Sequence, residues 1–170
     1  MQRIMIIGGP GSGKSTLARA LGGQLDLPVV HMDPIYWQGD WVERAKPQVL
    51  EMAQAAADAP AWVFDGNHSR SMDYRAERAD LILLLDMPRA LRIGRVLWRS
   101  VRYYGRTRPD MGPNCPERFD WAFLKFCWTY DRDGRLRALR FVERWSARRA
   151  TQVLRSRSEV AAFLRTLPTT

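Results

Sequence analysis

Apolar positions along the chain alternate between short β-branched runs and longer segments with helical spacing. Arg3 to Ile7 is a compact apolar run that stops at Gly8, the pattern of a buried strand. Leu17, Ala18, Leu21 and Leu25 then recur at helical steps, which predicts a helix over 15–25. Strands are expected over 27–31, opened by Pro28, and over 61–64, after Pro60 ends an alanine-rich helix at 47–57. Residues 79–85 are apolar enough for a strand buried on both faces. A helix is expected from Pro88 to about Tyr104. A loop rich in Gly, Pro and Arg follows over 105–116, then two helical stretches broken near Asp131 to Gly134. A fifth strand over 151–154 and a helix over 159–167 complete the pattern. Strands alternating with helices imply a parallel sheet covered on both sides. The expectation is a single α/β domain over 1–170, with a lid-like insertion at about 105–135.

Composition narrows the class. The 170 residues suit one domain, and 46% hydrophobic with 26% charged residues suits a globular one. The longest apolar run, Leu81 to Leu85, is far too short to span a membrane, and Ile4 to Ile7 is too short for a signal-peptide core. A cytoplasmic location with no membrane partner is expected. Cys115 and Cys127 make neither a four-cysteine zinc site nor a disulfide framework, so both are expected to be free thiols. The net charge is +9, and the lysines are only Lys14, Lys46 and Lys125. Arginine forks match phosphate oxygens, so a phosphorylated small molecule or a nucleic acid fits this balance. Arginine kept for solubility fits it too.

The most specific signal is Gly8-Gly9-Pro10-Gly11-Ser12-Gly13-Lys14-Ser15-Thr16, which satisfies GxxxxGK[ST] between a strand and a helix. The glycines let the backbone curl so that successive N–H groups point at phosphates. Lys14 is expected on the β- and γ-phosphates, Ser15 on Mg²⁺, and the helix adds its positive end. ATP and Mg²⁺ are therefore the expected cofactors.

Ligands of an open parallel sheet bind beyond the carboxyl ends of its strands. Asp33, Asp65 and Asp86 stand there in sequence. Asp65 ends the hydrophobic run Trp62 to Phe64 and precedes Gly66, so it is the first choice for the acid near the metal. Asp86 has a similar setting, but a helix cap before Pro88 is the preferred role. Asp33 suits an acceptor-orienting group or base, or a turn residue before Pro34. His31 reads as structural, and His68 as a candidate for the acceptor site. Arg92, Arg95, Arg99, Arg102 and Arg106 recur at steps of three and four and share an arc of roughly 80°. The expectation is a helix that buries Ile93, Val96, Leu97, Val101 and Tyr104 and turns its arginines towards an anionic ligand. No acid on that helix offsets their mutual repulsion.

Taken together, these segments resemble the adenylate-kinase-like P-loop group, and within it the small bacterial DNA topology modulation proteins. The likeness spans nearly the whole chain. It rests on the P-loop, Val30-His31-Met32-Asp33 with Trp37, Phe64-Asp65-Gly66-Asn67-His68-Ser69-Arg70, Leu85-Asp86-Met87-Pro88 and Arg106-Thr107-Arg108-Pro109-Asp110-Met111. The resemblance implies a P-loop three-layer sandwich with strand order 2-3-1-4-5 and a helical lid. It implies Asp65 as the magnesium-associated acid, Arg70 on the acceptor phosphate, and Arg95 and Arg99 on the nucleotide. Asp33, Gly66, Asn67 and Arg70 form the expected acceptor set.

Two functions remain open at this level. One is a kinase moving the γ-phosphoryl group to a small acceptor. The other is an ATP-dependent nucleic-acid binder of the topology modulation type. A kinase gathers its arginines in one cleft; a nucleic-acid binder spreads them over an outer face. Arg70, Arg95 and Arg99 around one ATP would overcompensate its charge unless a second anion enters. The sequence therefore favours a phosphorylated acceptor, a nucleotide, over a hydroxylated one with Asp33 as base.

Overall fold

The computed structural model describes residues 1–168. Five strands, β1 (Arg3–Gly8), β2 (Val29–His31), β3 (Trp62–Asp65), β4 (Leu81–Leu85) and β5 (Ala150–Leu154), form one parallel sheet in the order β2-β3-β1-β4-β5. That is the expected topology. β1 lies at the centre, paired with β3 from Arg3↔Trp62 to Ile6↔Asp65 and with β4 from Ile4↔Leu81 to Gly8↔Leu85. This register brings the carboxyl ends of β1, β2 and β3 together, with His31 opposite Asp65.

The period of two along each strand sends alternate side chains to opposite faces. Met5 and Ile7 join Trp62, Phe64, Ile82 and Leu84 in one core. That core is covered by α3 (Lys46–Asp58), α4 (Ser69–Arg78) and α6 (Trp121–Ser146). Ile4 and Ile6 join Val63, Leu81, Leu83 and Leu85 in the other, under α1 (Lys14–Leu25) and α7 (Arg157–Thr166). The result is helix, sheet, helix. Two further helices, α2 (Met32–Tyr36) and α5 (Arg89–Arg102), follow β2 and β4 at the carboxyl edge of the sheet.

Three local expectations are corrected. α2 and α4 form where no helix was expected. α4 hides its amphipathicity, because its buried residues are Ser71, Arg75 and Ala76 rather than large apolar groups. α6 runs unbroken through Asp131 to Gly134. Gly134 is there for packing: a Cβ would lie 2.4 Å from Tyr130 Cδ2. The same ring lies against Gly9, where a Cβ would be 2.8 Å from Tyr130 Cε1, so Tyr130 is wedged between the long helix and the 8–16 loop.

α5 departs in part from the expected amphipathicity: Val96 is buried and Arg102 exposed as expected, but Arg92 is buried and Val101 is not. Arg92 is 1% exposed and buried beside Val96, whereas Val101 and Tyr104 are 61% and 67% exposed. Arg92 has local partners for its donors: the carbonyls of Met87 and Pro10, and the carboxylate of Asp131 on α6. The acids absent from α5 come from the next helix and loop.

Replacing Gly134 by alanine is expected to destabilise the protein although alanine is the better helix former. Overpacking of about 1–3 kcal/mol outweighs a propensity gain of about 1 kcal/mol. Urea unfolding midpoints check this, and a higher midpoint in Gly134→Ala would refute the wedge.

Candidate functional site: a phosphate loop and its acidic and basic surround

The 8–16 loop curls where β1 hands over to α1. Gly11 has φ +73°, and a Cβ there would stand 2.3 Å from the Arg92 carbonyl oxygen. Gly13, at φ +101°, caps α1. The Lys14 ammonium donates to the carbonyls of Gly8 and Gly9, both at 3.1 Å. Burial pushes its pKa below 10.5, against the pull of Asp65 and Asp33. Ser12 is buried and its Oγ has no partner. Asn67 brackets Gly8: its Oδ1 accepts from Gly8 N at 3.1 Å and its Nδ2 donates to Gly8 O at 2.9 Å. The amide expected at the acceptor thus braces the loop while also lining the cleft.

Asp65 is 3% exposed at the end of β3. Its Oδ1 meets His31 Nδ1 at 2.9 Å, while its Oδ2 is buried and without a partner. The hydrogen bond to Asp65 holds the His31 pKa above 6.5, against desolvation. Behind it, fully buried Arg75 donates to Gly66 O at 3.0 Å and lies over the Phe64 ring; burial brings its guanidinium down to about 10. Asp33, in the first turn of α2, is open to the cleft yet ringed by protein. Desolvation raises its pKa, opposed by Lys14 and Arg108. Asp86 lies elsewhere. It receives a two-pronged contact from Arg135 at 2.6 and 2.8 Å, and Pro88 rather than Asp86 is the α5 cap residue. His68 bonds Ser71, and burial lowers its pKa.

The arginine row divides. Arg95 donates to Ser12 O at 2.8 Å, and Arg95 and Arg99 both line the cleft. Desolvation lowers both pKa values, helped by Arg157 for Arg95 and by Arg108 for Arg99. Arg102 and Arg106 are exposed and do not line the cleft; neither does Arg70, exposed on α4. The P-loop, Asp33, Asp65, Gly66 and Asn67 meet in this one cleft of about 880 Å³.

The 105–117 segment supplies what sequence reasoning missed. Its neck is clipped by Gly105 N to Glu117 O at 2.9 Å and Glu117 N to Arg106 O at 3.0 Å. Glu117, 5% exposed, puts Oε1 at 3.0 Å from Arg99 Nε and 2.5 Å from Arg108 Nε. These are charge contacts without hydrogen-bond alignment. Asp110 reaches Arg108 at 3.5 Å and Arg19 at 3.9 Å. Arg108 and Asp110 lie in a segment already singled out by resemblance; nothing local in the sequence marks Glu117.

The donor set fits nucleotide-bound Mg²⁺. Ser15 offers a hydroxyl at the start of α1, and Asp65 has an orphaned oxygen in the same cleft. Among the described residues no three His, Cys, Asp or Glu groups are placed to hold a metal on their own.

Two outcomes follow from these pairings. Glu117→Ala strands the Arg99 guanidinium and leaves Arg108 only Asp110 as an acid partner among the described residues, and is expected to cost about 3 kcal/mol of stability, read from urea unfolding; a loss below the error of the measurement would show the triad to be slack. The raised His31 pKa means that the folded state holds its proton more tightly. Its contribution is fully present below 6.5 and is lost as pH rises through the folded value. The stability difference between the wild type and His31→Gln should therefore shrink upward from about pH 6, and a flat difference to about pH 9 would contradict the pairing.

A family model described as "ATPase family associated with various cellular activities (AAA)" matches residues 4–65. No curated protein matches the chain. Among solved structures, a sugar kinase from a Janibacter species aligns at 15% identity over 98% of this chain and 91% of that one, with TM-score 0.57. Shikimate kinase from Bacteroides thetaiotaomicron aligns at 15% identity over 97% and 95%, with TM-score 0.55. Shikimate kinase from Aquifex aeolicus aligns at 14% identity over 96% and 92%, also with TM-score 0.55. At such identities the likeness is one of architecture: the chain has the fold of the adenylate-kinase-like P-loop kinases.

Proposed function

We propose that the chain is a Mg²⁺-ATP-dependent kinase, one P-loop kinase-like domain over 1–170, that phosphorylates a hydroxyl of a small molecule. The observation that carries this is the placement of Asp33. It faces the same cleft as Lys14, while Arg70, the arginine assigned to an acceptor phosphate, lies outside. The electrostatic case for a phosphorylated acceptor also weakens. Seven cationic and five acidic side chains among the described residues line the cleft, a net of +2. Glu117 already engages Arg99 and Arg108, so no second anion is needed to balance them. The solved structures of like fold are named for sugar and shikimate, small hydroxylated compounds.

In this reading the P-loop amides and Lys14 receive the phosphates, Lys14 exchanging the carbonyls of Gly8 and Gly9 for β- and γ-oxygens. Ser15 and Asp65 hold Mg²⁺, which supplies charge neutralisation at the phosphates when bound. Arg95 and Arg99 offset charge from α5. Asp33 accepts the acceptor's proton as its oxygen bonds to the γ-phosphorus and the bond to the β–γ bridging oxygen breaks, releasing ADP. A carboxyl with raised pKa suits a base working near neutral pH. Gly66 lines the acceptor side, and the 105–117 loop acts as the lid, the rest of the expected 105–135 lid belonging largely to the scaffold helix α6. A cytoplasmic enzyme is in keeping with ATP as donor. Among the described residues no helix is long and apolar enough to cross a membrane.

Lys14→Ala is expected to abolish ATP binding in calorimetry with the circular dichroism spectrum unchanged; retained affinity refutes the phosphate assignment. A phosphorylation screen of hydroxylated metabolites, nucleosides and nucleotides identifies the acceptor. In that reaction Asp33→Asn should lower turnover by about 10²–10⁴ while acceptor binding persists. Full turnover of Asp33→Asn on a nucleotide acceptor would restore the phosphorylated class. Tight duplex binding in salt-titrated gel shifts, without phosphorylation of any screened compound, would favour the nucleic-acid reading instead.

A further inference from the structure

Asp110 has no part in the reading above, yet it stands at its centre. The loop that carries it is closed at its neck by the Gly105, Arg106 and Glu117 backbone bonds and tightened at its tip by Met111 N to Arg108 O at 3.2 Å. This sets the Asp110 side chain, 13% exposed, into the cleft beside the Ser15 hydroxyl. Burial pushes its carboxyl up; Arg108, its own backbone N–H, Ser15 and Arg19 together more than offset this, so it lies below the usual carboxylate range. Asp33 and His31 both sense its charge. Three carboxylates, Asp33, Asp65 and Asp110, thus line the same cleft as Lys14 and Ser15. One of them, Asp65, is 3% exposed with an oxygen that has no partner.

We infer that Asp110 is a specificity residue for the state of the nucleotide, favouring ATP complexed with a divalent cation over free ATP. The inference rests on the kinase reading. A bare triphosphate laid on Lys14 and Ser15 would meet these acids as like charges at short range, in a cleft whose cations are partly engaged by Glu117. A cation beside Ser15 reverses the sign of that encounter for Asp110. The carboxylate then accepts from the cation's water shell, the usual mode for Mg²⁺, which gives up its waters reluctantly. Asp110 belongs to the loop and Ser15 to the P-loop.

The test is calorimetry of ATP binding in Mg²⁺ and in EDTA for the wild type, Asp110→Asn and Asp110→Glu. Asparagine keeps the shape and removes only the charge. Asp110→Asn is expected to weaken Mg-ATP binding and spare or strengthen free ATP binding, lowering the ratio of the two affinities by about tenfold. Asp110→Glu should recover part of that ratio. A wild-type ratio in Asp110→Asn overturns the inference and leaves Asp110 as an anchor for Arg19 and Arg108. If Asp110→Asn does not fold, Asp110→Ala is measured in its place: a lowered ratio upholds the inference, and a wild-type ratio overturns it. Failure of the wild type to bind ATP in either medium would overturn the kinase reading itself, a different result from an unchanged ratio.

Discussion

The architecture depends on keeping the backbone of residues 8–16 curled without side chains inside the curl. The cavity of the loop must stay open to present N–H groups, so the bracing comes from outside. The Arg92 carbonyl closes on Gly11, the Tyr130 ring on Gly9, and the Asn67 amide on both backbone groups of Gly8. These braces come from α5, from α6 and from the turn after β3, three elements that meet because β1 lies between β3 and β4. The central position of β1 and the curl of its loop are thus one constraint: any other strand order would part the braces from the loop.

That constraint explains the arginine helix. An amphipathic helix ordinarily buries its apolar stripe. α5 turns Arg92 and Val96 inward because its inner face must supply hydrogen-bond donors to a loop rich in bare carbonyls. Arg92 reaches Pro10, and Arg95 reaches Ser12. Burying a guanidinium costs least when its donors find acceptors. Asp131 and the Met87 carbonyl complete the set for Arg92, and the Tyr130 ring faces it at 5.0 Å.

The strands and the phosphate loop were legible because each follows from local pattern or from a motif with fixed spacing, and the strand order came from the resemblance to the adenylate-kinase-like group. The fate of single polar residues was not. Asp65 and Asp86 end strands of similar shape, yet one keeps a free buried oxygen in the cleft and the other is occupied by Arg135 from α6. Distant pairing decides between them, and spacing carries no trace of it. Asn67 and Arg70 lie three residues apart, but the turn before α4 sends one to Gly8 and leaves the other exposed. Gly134 reads locally as a breaker because its reason, the Tyr130 ring, becomes visible only once the helix exists.

Composition misleads about the site in the same way. A chain of net charge +9 suggests a strongly positive pocket, whereas the cleft carries +2 among the described residues. Its cations come mainly from the scaffold helices, and the acids that temper them, Asp110 and Glu117, come from one clipped loop. Arg99 and Arg108 therefore remain close together without a ligand, since Glu117 stands between them. Two guanidiniums held by a shared carboxylate are already oriented, so an entering phosphate need not collect them from solvent. The cost is a weaker net field, and the internal acids convert a general attraction for anions into a preference for anions that arrive with their charge partly offset. In a cleft balanced this closely, the identity of the bound anion is set by a few opposed charges at fixed positions. The surplus of arginine over the rest of the molecule says little about it.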